Sequence, residues 1–489
     1  MSYYVGIDIG TSSAKTVLID EKGKMLKESS RNYEVAEPES GWKEIDPENW
    51  MRAVTACLRE MCTGVGMKEV KSIGVTGQMH SVVTLDEKGE VIRPALMWND
   101  TRTIELVEMH KDKIKQLESV SYLANIISTG SPAANLFWIK KNEPENFKKI
   151  KKFLIGPDYI VYRLTGNVQT DFCEASTSSL YDLKEKKWSE EMRELLGFSK
   201  EIYPEVKGSI ENAGIVCKEW IDKLGFDVNT TVTVGTGDNP AAAISTGCFT
   251  GKYPVLSLGT SAVMMFSRSK PDFQAKGKNI LFSFDRNDVQ VLVQGVVQSC
   301  GSSFEWWMKK VLETEKFDKE TAIDTKLLGK SEVIFYPHLV GDKTIYADSK
   351  LRGAFIGIGT DTDRKTLSVA VMEGICLAIR QLTEAMELPE GSLKGLRVIG
   401  GGSKNEIWMQ ILSNVLNKEI VQMENGFGAG YGIALAAASK DDQISIEEII
   451  KNKVKIKKRF VPVGENVLLY EKKYQKYLKI YDALKMVVE

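Results

Sequence analysis

Near its start the chain reads Tyr3-Tyr4-Val5-Gly6-Ile7-Asp8-Ile9-Gly10-Thr11-Ser12-Ser13-Ala14-Lys15-Thr16-Val17-Leu18-Ile19-Asp20. Two apolar, β-rich runs lie on either side of a Gly-Thr-Ser-Ser turn, a pattern that predicts a β-hairpin. Asp8 falls inside the first run, where a buried carboxylate without a partner is costly. One suitable partner is Mg²⁺ beside phosphate, because this ion binds one or two carboxylates together with the phosphates of a substrate. The plainer alternative is an ordinary hairpin whose aspartate caps a neighbouring backbone group.

The turn of this hairpin suits an anionic ligand, and a similar turn occurs a second time. Gly10 allows the backbone to approach a ligand, and successive N–H groups beside small hydroxyls can form an anion nest. The second copy reads Leu256-Ser257-Leu258-Gly259-Thr260-Ser261-Ala262-Val263-Met264-Met265-Phe266, with Ser257 at the position of Asp8. Internal similarity of this kind sets the architecture. It predicts two duplicated lobes that each offer a phosphate loop to one shared cleft.

With both hairpins in place, the chain resembles the FGGY family of carbohydrate kinases over roughly residues 4–437. The resemblance implies an α/β, two-lobed, actin-like (ribonuclease H-like) ATPase fold with duplicated domains around a central cleft. It implies a sugar-binding lobe over residues 1–247, a nucleotide-binding lobe over 248–440, and an extension over 441–489 that packs on the body. The implied cofactors are ATP and Mg²⁺, with Asp8 and Asp238 at the metal. The residues implied for nucleotide and phosphate binding are Gly10, Thr11, Ser12, Ser13, Lys15, Gly259, Thr260, Ser261, Gly401, Gly402, Ser403 and Asn405.

The composition is that of a soluble globular protein of 489 residues, 43% hydrophobic and 27% charged, and this length predicts two or three domains. The net charge of -1 gives no basic face, so nucleic acid is not expected as a partner. Seven cysteines without a C-x-x-C pair indicate unpaired thiols in a reducing compartment. We find no signal peptide and no apolar run of membrane-spanning length, so we expect a cytoplasmic protein without a membrane partner. A homodimer is compatible with the sequence, which does not decide the oligomeric state.

Two short polar stretches in the first lobe indicate a ligand site. Gln78-Met79-His80-Ser81 follows a strand that ends on a glycine, and ligands of open α/β sheets bind beyond the carboxyl ends of strands. Trp98-Asn99-Asp100-Thr101-Arg102 supplies a stacking face, hydrogen-bonding groups and charge, as recognition of a polyol requires. Both stretches resemble those of the xylulokinases in the family, which implies that Gln78, Met79, His80 and Trp98 bind sugar. For a lone histidine such as His80, a structural role is the commoner alternative.

The residue after His80 leaves the identity of the sugar open. Xylulokinases usually have glycine where this chain has Ser81, and the gluconate kinases of the family resemble Met-His-Ser at this point. The resemblance therefore implies ATP-dependent phosphorylation of a small-molecule ketose, D-xylulose to D-xylulose 5-phosphate. One alternative is a kinase for gluconate or another ketose or polyol. Another is an actin-like ATPase that has no sugar substrate.

Asp238 carries the clearest chemistry of the first lobe. The residues Thr231 to Val234 predict a strand, Gly235-Thr236-Gly237 a tight turn, and Asn239-Pro240 a helix start. This reading leaves Asp238 just outside the helix, with its carboxylate directed at the cleft beside a positive helix end. The alternative is that Asp238 is the helix cap. The Gly-Asp-Asn sequence resembles the catalytic aspartate motif of the family, which implies that Asp238 is the general base and that it contacts the sugar together with Asn239.

In the second lobe, a glycine turn follows the predicted strand at Val398-Ile399. Gly400-Gly401-Gly402 lets a ligand lie against the backbone, and Ser403 is predicted to cap the next helix, whose N-terminus favours negative charge. In the family the equivalent stretch binds the nucleotide near adenosine. The chain contains neither a G-x-x-x-x-G-K-[ST] nor a G-x-G-x-x-G motif, so Walker-type and Rossmann sites are not predicted.

The remaining polar features predict structural roles or leave two roles open. Asp158 opens a short helix, and Asp171 and Glu174 follow on a predicted loop, where they either contact ligand or place the sugar loop. Ser302 or Ser303 is expected to cap a helix with a core tryptophan pair, and His338 is expected to be structural. The run Lys451 to Arg459 is read as a solvated strand face in preference to an anion or nucleic-acid patch. Four tyrosines at helical spacing predict a terminal helix that packs on the body, namely Tyr470, Tyr474, Tyr477 and Tyr481.

Overall fold

The computed structural model describes residues 2–61, 63, 66–250, 253–284, 287–388, 395–423, 428–441, 448 and 456–488. The strands of the first half are β1 (Tyr3–Ile9), β2 (Ser13–Asp20), β3 (Met25–Asn32), β4 (Glu44–Ile45), β5 (Val70–Gly77), β6 (Val82–Leu85), β7 (Ala95–Leu96), β8 (Lys152–Ile155), β9 (Gln169–Asp171), β10 (Tyr181–Asp182), β11 (Lys187–Trp188), β12 (Glu205–Lys207), β13 (Asn212–Ile215), β14 (Thr231–Thr233) and β15 (Thr236–Gly237). The strands of the second half are β16 (Val255–Leu258), β17 (Ala262–Arg268), β18 (Lys278–Phe282), β19 (Gln290–Val297), β20 (Ile334–Tyr336), β21 (Ala354–Ile356), β22 (Leu396–Ile399), β23 (Ile420–Met423) and β24 (Ile456–Phe460).

The helices follow the same division. Those of the first half are α1 (Pro47–Met61), α2 (Ile104–Ile114), α3 (Pro132–Asn142), α4 (Pro144–Lys149), α5 (Gly156–Thr165), α6 (Phe172–Thr177), α7 (Glu190–Leu196), α8 (Lys218–Leu224) and α9 (Asp238–Thr246). Those of the second half are α10 (Gly301–Trp306), α11 (Phe317–Thr321), α12 (Arg364–Ala385), α13 (Glu406–Leu416), α14 (Ala429–Asp441), α15 (Gly464–Tyr477) and α16 (Ile480–Val488).

The first large sheet is built around β1. This strand pairs antiparallel with β2 across the Gly-Thr-Ser-Ser turn, so that Asp8 lies opposite Lys15. On its other side β1 runs parallel to β5, and the sheet order is β13-β14-β5-β1-β2-β3 with β15 also on β5. Tyr4, Val5, Ile7 and Ile9 of β1 are fully buried, as a central strand with both faces covered requires. The hairpin predicted from the sequence is therefore confirmed.

The second large sheet repeats this arrangement, in the order β18-β19-β17-β16-β22-β23-β24. Its central strand β16 pairs antiparallel with β17 and parallel with β22, as β1 does with β2 and β5. Two sheets with the same partners around equivalent strands confirm the predicted duplicated, two-lobed α/β fold. The boundaries predicted at residues 247 and 440 stay predictions.

Helix α14 belongs by sequence to the second half but packs on the first sheet. A Cβ added at Gly6 of β1 would lie 1.9 Å from the carbonyl oxygen of Gly430, and one added at Gly432 would lie 1.9 Å from that of Ala241 in α9. No side chain fits at such distances, so these two positions must be glycine. The close approach holds α14 against both the sheet and the helix that begins at Asp238.

Several helix boundaries differ from the sequence-based expectation. Helix α10 begins at Gly301, so Ser302 and Ser303 lie inside it, and the capping position is taken by Cys300, whose side chain makes no capping hydrogen bond. Asp171 and Glu174 do not lie on a loop. Asp171 ends β9 and caps α6 by accepting a 2.9 Å hydrogen bond from the backbone N–H of Glu174. A helix begins here because the Asp171 side chain satisfies one of the free N–H groups of the first helical turn. The spacing of Asp171 and Glu174 in the sequence did not reveal this cap.

The C-terminal predictions are confirmed in part. Tyr470, Tyr474 and Tyr477 are buried on α15, whereas Tyr481 lies on a separate helix, α16, so one predicted helix is two. Strand β24 exposes Ile456 to Arg459, as a solvated strand face predicts, while Lys451, Lys453 and Lys455 lie outside the described residues, as does Cys62. His338 is buried between Asp342 and Tyr477, which confirms a structural position.

The prediction that the chain has no apolar run of membrane-spanning length was wrong, because helix α12 is long and apolar enough to cross a membrane and is the one such segment of the described chain. Its apolar window is 78% buried inside the protein. It therefore serves as a core helix here, against which α13 and β20 pack.

Candidate active site

A cavity of about 650 Å³ lies between the two lobes. Among the residues predicted to bind ligand, those that line it are Thr11, Gln78, Met79, His80, Trp98, Asp238 and Asn239. The second lobe contributes residues that include Val263, Lys278, Asn279, Gln294, Lys343 and Thr344. The sequence therefore identified one wall of this cavity and missed the other.

Gln78 lies directly after β5, where the parallel strand ends at the cavity. Its side chain is only 2% exposed, yet neither its amide nitrogen nor its carbonyl oxygen has a hydrogen-bond partner among the described residues. A buried amide without partners costs roughly 1–3 kcal/mol per lost bond. An oxygen-bearing ligand in the cavity would satisfy both atoms.

His80 is held in an unusual backbone conformation beside a lysine. Its φ of 73° lies in the left-handed region, which non-glycine residues adopt mainly where the surrounding structure imposes it. The ammonium of Lys278 lies 3.1 Å from its Nε2. Since lysine can only donate, Nε2 accepts this bond and the ring is neutral. Burial and the Lys278 charge hold the pKa of His80 well below its usual value.

Trp98 is 44% exposed and its indole N–H donates to the hydroxyl of Thr11 at 3.2 Å. Its backbone N–H donates to the buried hydroxyl of Ser81 at 3.3 Å. Ser81 does not line the cavity. Ser81, which departs from the xylulokinase pattern, therefore helps to hold the backbone of Trp98 in place.

The charged residues that follow Trp98 point away from the cavity. Asp100 is fully buried and accepts hydrogen bonds from the Arg102 side chain and from the backbone N–H of Lys43. The Arg102 guanidinium stacks over the Trp42 ring, 4.0 Å from its centroid. These two side chains fix the Trp98 loop and are not part of the cavity lining, contrary to the expectation that the whole stretch recognises a polyol.

Asp238 is the first residue of α9, not a residue outside it, because Gly237 takes the capping position. Burial raises the pKa of its carboxyl group to about 7, with a further contribution from the charge of Asp8, while backbone hydrogen bonds and Lys278 act in the opposite direction. The next residue, Asn239, has its amide nitrogen 3.5 Å from both the Met79 sulfur and the Gln294 side-chain oxygen. A carboxylate that titrates near neutral pH in a cavity is suited to accept a proton.

Asp8 lies close enough to Asp238 for its charge to contribute to the raised pKa of that carboxyl group. Burial raises the pKa of Asp8 to about 6, partly offset by Lys15 across the hairpin. Two partly buried carboxylates that repel each other fit a divalent cation, and Mg²⁺ uses one or two protein carboxylates with phosphate and water for the rest. Among the described residues no group of three or more metal-ligating side chains occurs, so a site built by protein alone is not present there.

Three further carboxyl groups are buried close to the Gln78-Met79-His80 loop. Asp158, Asp171 and Glu174 are at most 3% exposed, and burial together with their mutual repulsion raises the pKa of Asp158 and Glu174 well above the usual value. Glu174 lies against the loop itself, since the backbone N–H of His80 is 3.5 Å from its Oε2. None of the three lines the cavity, so the structural alternative for these residues is the better supported one.

The predicted phosphate residues are only partly brought to the cavity. Thr11 lines it, whereas Gly10, Ser12, Ser13, Lys15 and the Gly259-Thr260-Ser261 turn do not. The second turn instead lies beside the start of α10, where the N–H of Gly301 donates to the Gly259 carbonyl at 3.0 Å.

The glycine turn at Gly400-Gly401-Gly402 lies next to the second hairpin. Strand β22 runs parallel to β16, and a Cβ at Gly400 would meet the Leu258 carbonyl at 2.5 Å. Nothing lies within 4 Å of a Cβ built on Gly401, so its backbone is open. Both predicted nucleotide elements of the second lobe therefore share one edge of its sheet.

The prediction that Ser403 caps α13 was wrong. Its hydroxyl is buried and donates to the Gly400 carbonyl at 2.7 Å. The cap is Asn405, whose side-chain oxygen accepts from the N–H of Trp408 at 3.0 Å and whose amide donates to Thr321. A short 3₁₀ helix over Gly401–Lys404 delays the start of α13, which explains the error. Both side-chain ends of Asn405 are thus engaged within the protein.

The comparisons with known proteins agree over the whole chain. Residues 3–245 match the N-terminal domain of the FGGY family of carbohydrate kinases, and residues 255–440 match its C-terminal domain. The chain is similar to the xylulose kinase of Staphylococcus xylosus, at 31% identity over 99% of this chain and all of that protein. It is also similar to the xylulose kinase of Bacillus subtilis, at 31% identity over 99% of this chain and 98% of that one. A solved structure described as a xyloylose kinase from Brucella ovis superposes with a TM-score of 0.90 at 28% identity, covering 99% of this chain and all of that chain.

Proposed function

The chain belongs to the FGGY family of carbohydrate kinases, and we propose that it transfers the terminal phosphoryl group of ATP to a ketose, converting D-xylulose to D-xylulose 5-phosphate. One observation carries the proposal: a single cavity between the lobes holds the unpartnered amide of Gln78 and the carboxyl group of Asp238. The similarity to xylulose kinases along almost the whole chain supports the choice of sugar.

Asp238 acts as the general base in this proposal. A sugar hydroxyl is a weak nucleophile at neutral pH, and a carboxylate that accepts its proton as attack proceeds contributes about 10²–10⁴-fold to the rate. A pKa of about 7 places Asp238 where it is largely ionised at physiological pH and still basic enough to take the proton. Gln78, Met79, His80 and Asn239 would hold the sugar so that the reacting hydroxyl faces this carboxylate.

The nucleotide would lie along the edges of both sheets. Thr11 of the first hairpin lines the cavity, and the second hairpin and the glycine turn at residues 400–402 share an edge on the opposite lobe. Asp8 would hold Mg²⁺ through a water molecule and leave Asp238 free to act as the base; the ion, when bound, would neutralise the charge of the phosphates. Backbone N–H groups of the two turns would orient the phosphates for in-line transfer.

Closure of the lobes would exclude water from the reacting groups. Side chains of both lobes already contact each other across the cavity, through Lys278 with His80 and through Asn239 with Gln294. Excluding water prevents hydrolysis of ATP in place of transfer to sugar.

The two alternatives make different demands on the cavity. A gluconate kinase was suggested by Ser81, but this side chain supports the Trp98 backbone and does not line the cavity, so it gives no direct preference for a carboxylate. An actin-like ATPase without sugar would have no use for the buried, unpartnered amide of Gln78. The first observation removes the reason for preferring gluconate, and the second favours a sugar kinase over an ATPase without sugar.

A sugar panel tests the proposal. ATP consumption coupled to ADP detection should be rapid with D-xylulose, slower with other ketoses and polyols, and slowest with D-gluconate. The variant Asp238→Asn, assayed in parallel, should be inactive with all of them. Activity with gluconate but not xylulose would contradict the choice of sugar, and ATPase activity indifferent to every sugar would support the actin-like alternative.

A further inference from the structure

We propose that Lys278 of the second lobe is a substrate-positioning residue, which donates hydrogen bonds to a sugar oxygen while His80 of the first lobe holds its ammonium group. This inference deepens the proposed function and rests on it. Nothing in the sequence indicates this role, because Lys278 begins an ordinary strand 198 residues after His80 of the Gln78-Met79-His80 stretch.

The first step is the location of the lysine. Lys278 is the first residue of β18, directly after Gly277, whose φ is 106°. Both residues line the same cavity as Gln78 and Asp238. The 3.1 Å contact to the Nε2 of His80 crosses from one lobe to the other, over 198 residues of sequence.

The second step is the number of donors. A lysine ammonium has three N–H donors and no acceptor. Among the described residues its one hydrogen bond is the one to His80 Nε2, which leaves two donors for a ligand. Burial lowers the pKa of Lys278, and Cys173, Glu174 and Asp238 partly offset that effect.

The third step is the complementary set of groups on the facing wall. The amide of Gln78 has a free donor and a free acceptor among the described residues, and it is almost completely buried. A ligand that accepts from Lys278 and both accepts from and donates to Gln78 carries several hydroxyl or carbonyl oxygens. The cavity lining also includes two lysines and two aspartates, Lys278, Lys343, Asp238 and Asp272.

The lysine thereby makes the sugar site dependent on both lobes. Sugar bound to Gln78, Met79 and His80 would gain the Lys278 hydrogen bonds only when the second lobe is in place. Binding of the correct sugar would then favour the closed arrangement, since a ligand shifts an equilibrium toward the state that it binds more tightly.

The test combines a substitution with sugar analogues. Lys278→Met should reduce kcat/KM for D-xylulose by roughly 10- to 100-fold, the loss expected for a charge-assisted hydrogen bond, through a higher sugar KM. The KM for ATP should stay within about twofold of wild type, because the nucleotide elements lie elsewhere. Lys278→Gln, which keeps a donor, should lose less. Lys276→Met, at an exposed lysine two residues earlier, is the matched control and should behave like wild type.

Deoxy analogues of D-xylulose, each lacking one oxygen, separate contact from structural support. For the analogue without the oxygen that Lys278 contacts, Lys278→Met should cost less than about threefold, whereas the other analogues should show the full loss. Equal losses with every analogue, or an unchanged sugar KM in a variant with wild-type thermal stability, would overturn the role of Lys278 alone. A wild-type protein that phosphorylates no sugar would overturn the proposed function itself.

Discussion

The indole N–H of Trp98 donates a 3.2 Å hydrogen bond to the hydroxyl of Thr11. This bond joins the loop proposed to bind sugar to the hairpin proposed to bind phosphate, two segments 87 residues apart in the chain. The backbone of the same tryptophan is fixed by Ser81, and the loop behind it by the Asp100–Arg102 ion pair. The two halves of the proposed reaction are thus coupled through one side chain.

The first prediction concerns this coupling. Trp98→Phe keeps an aromatic face but removes the donor, and we expect kcat to fall by about fivefold, as for the loss of one partly exposed hydrogen bond of ~1 kcal/mol. Thr11→Val should give a similar loss, and the double variant should be no worse than either single one. Thr11→Ser, which keeps the hydroxyl, is the control. Steady-state kinetics measure all four, and strictly additive losses would show that the bond has no role in turnover.

The second prediction concerns Asp238. Asp238→Asn is nearly isosteric, and it should lower kcat by about 10²-fold or more because the proton acceptor is lost. Equilibrium binding of sugar, measured by calorimetry, should change little. Asp272→Asn, at another aspartate of the cavity lining, should retain most activity. Turnover near the wild-type rate in Asp238→Asn would remove this residue from the mechanism.

The third prediction follows from the pKa of Asp238, which is about 7. A general base acts in its ionised form, so the rate should be at its maximum above this pKa and should fall as the pH drops through it. We expect log kcat/KM for the sugar to decline with a slope of about one below pH 7, since kcat/KM reports the free enzyme. A profile that stays flat down to pH 5 would contradict the assignment.

The fourth prediction concerns the buried His338, whose pKa burial lowers from 6.5 to about 4. The folded protein holds this ring neutral, whereas the unfolded chain takes up a proton near pH 6.5. The stabilisation is therefore complete above pH 6.5 and is lost as the pH falls toward 4, by ~3 kcal/mol in total. The neighbouring Asp342, 3.6 Å from the ring, has a raised pKa and acts in the opposite sense at the acid end.

The measurement is the thermal midpoint between pH 7.5 and 5 for the wild type and for His338→Gln. The thermal midpoint of His338→Gln is expected to be lower than that of the wild type at pH 7.5 and to fall by less between pH 7.5 and 5. A variant that loses as much as the wild type would show that His338 does not account for the acid sensitivity.

The fifth prediction concerns the contact between α14 and the first sheet. Gly6→Ala would place a methyl group 1.9 Å from the Gly430 carbonyl oxygen, and the backbone of neither element can move without disturbing Asp8 two residues on. We expect destabilisation of ~3 kcal/mol or more, because overpacking at a backbone contact is poorly relieved. Gly464→Ala, where nothing lies within 4 Å, is the control and should be neutral. Chemical denaturation measures both, and equal midpoints would refute the contact.

Much of this architecture was predictable because it depends on local patterns. The two hairpins, the strand before Gln78 and the helix after Pro47 all follow from residue periodicity and turn residues. The wrong prediction of the cap of α13 also concerns neighbouring residues. Ser403 and Asn405 both have the chemistry of a helix cap, and only the 3₁₀ turn between them decides which one is used.

The sequence by itself determined the duplication, one wall of the cavity and the candidate base, since each depends on neighbours along the chain. Only the tertiary structure decided that Lys278 and Gln294 face that wall, that Asp100 and Arg102 turn away from it, and that α14 returns to the first sheet. These relationships depend on contacts between segments tens to hundreds of residues apart, and no periodicity within a segment records which distant surface it will meet.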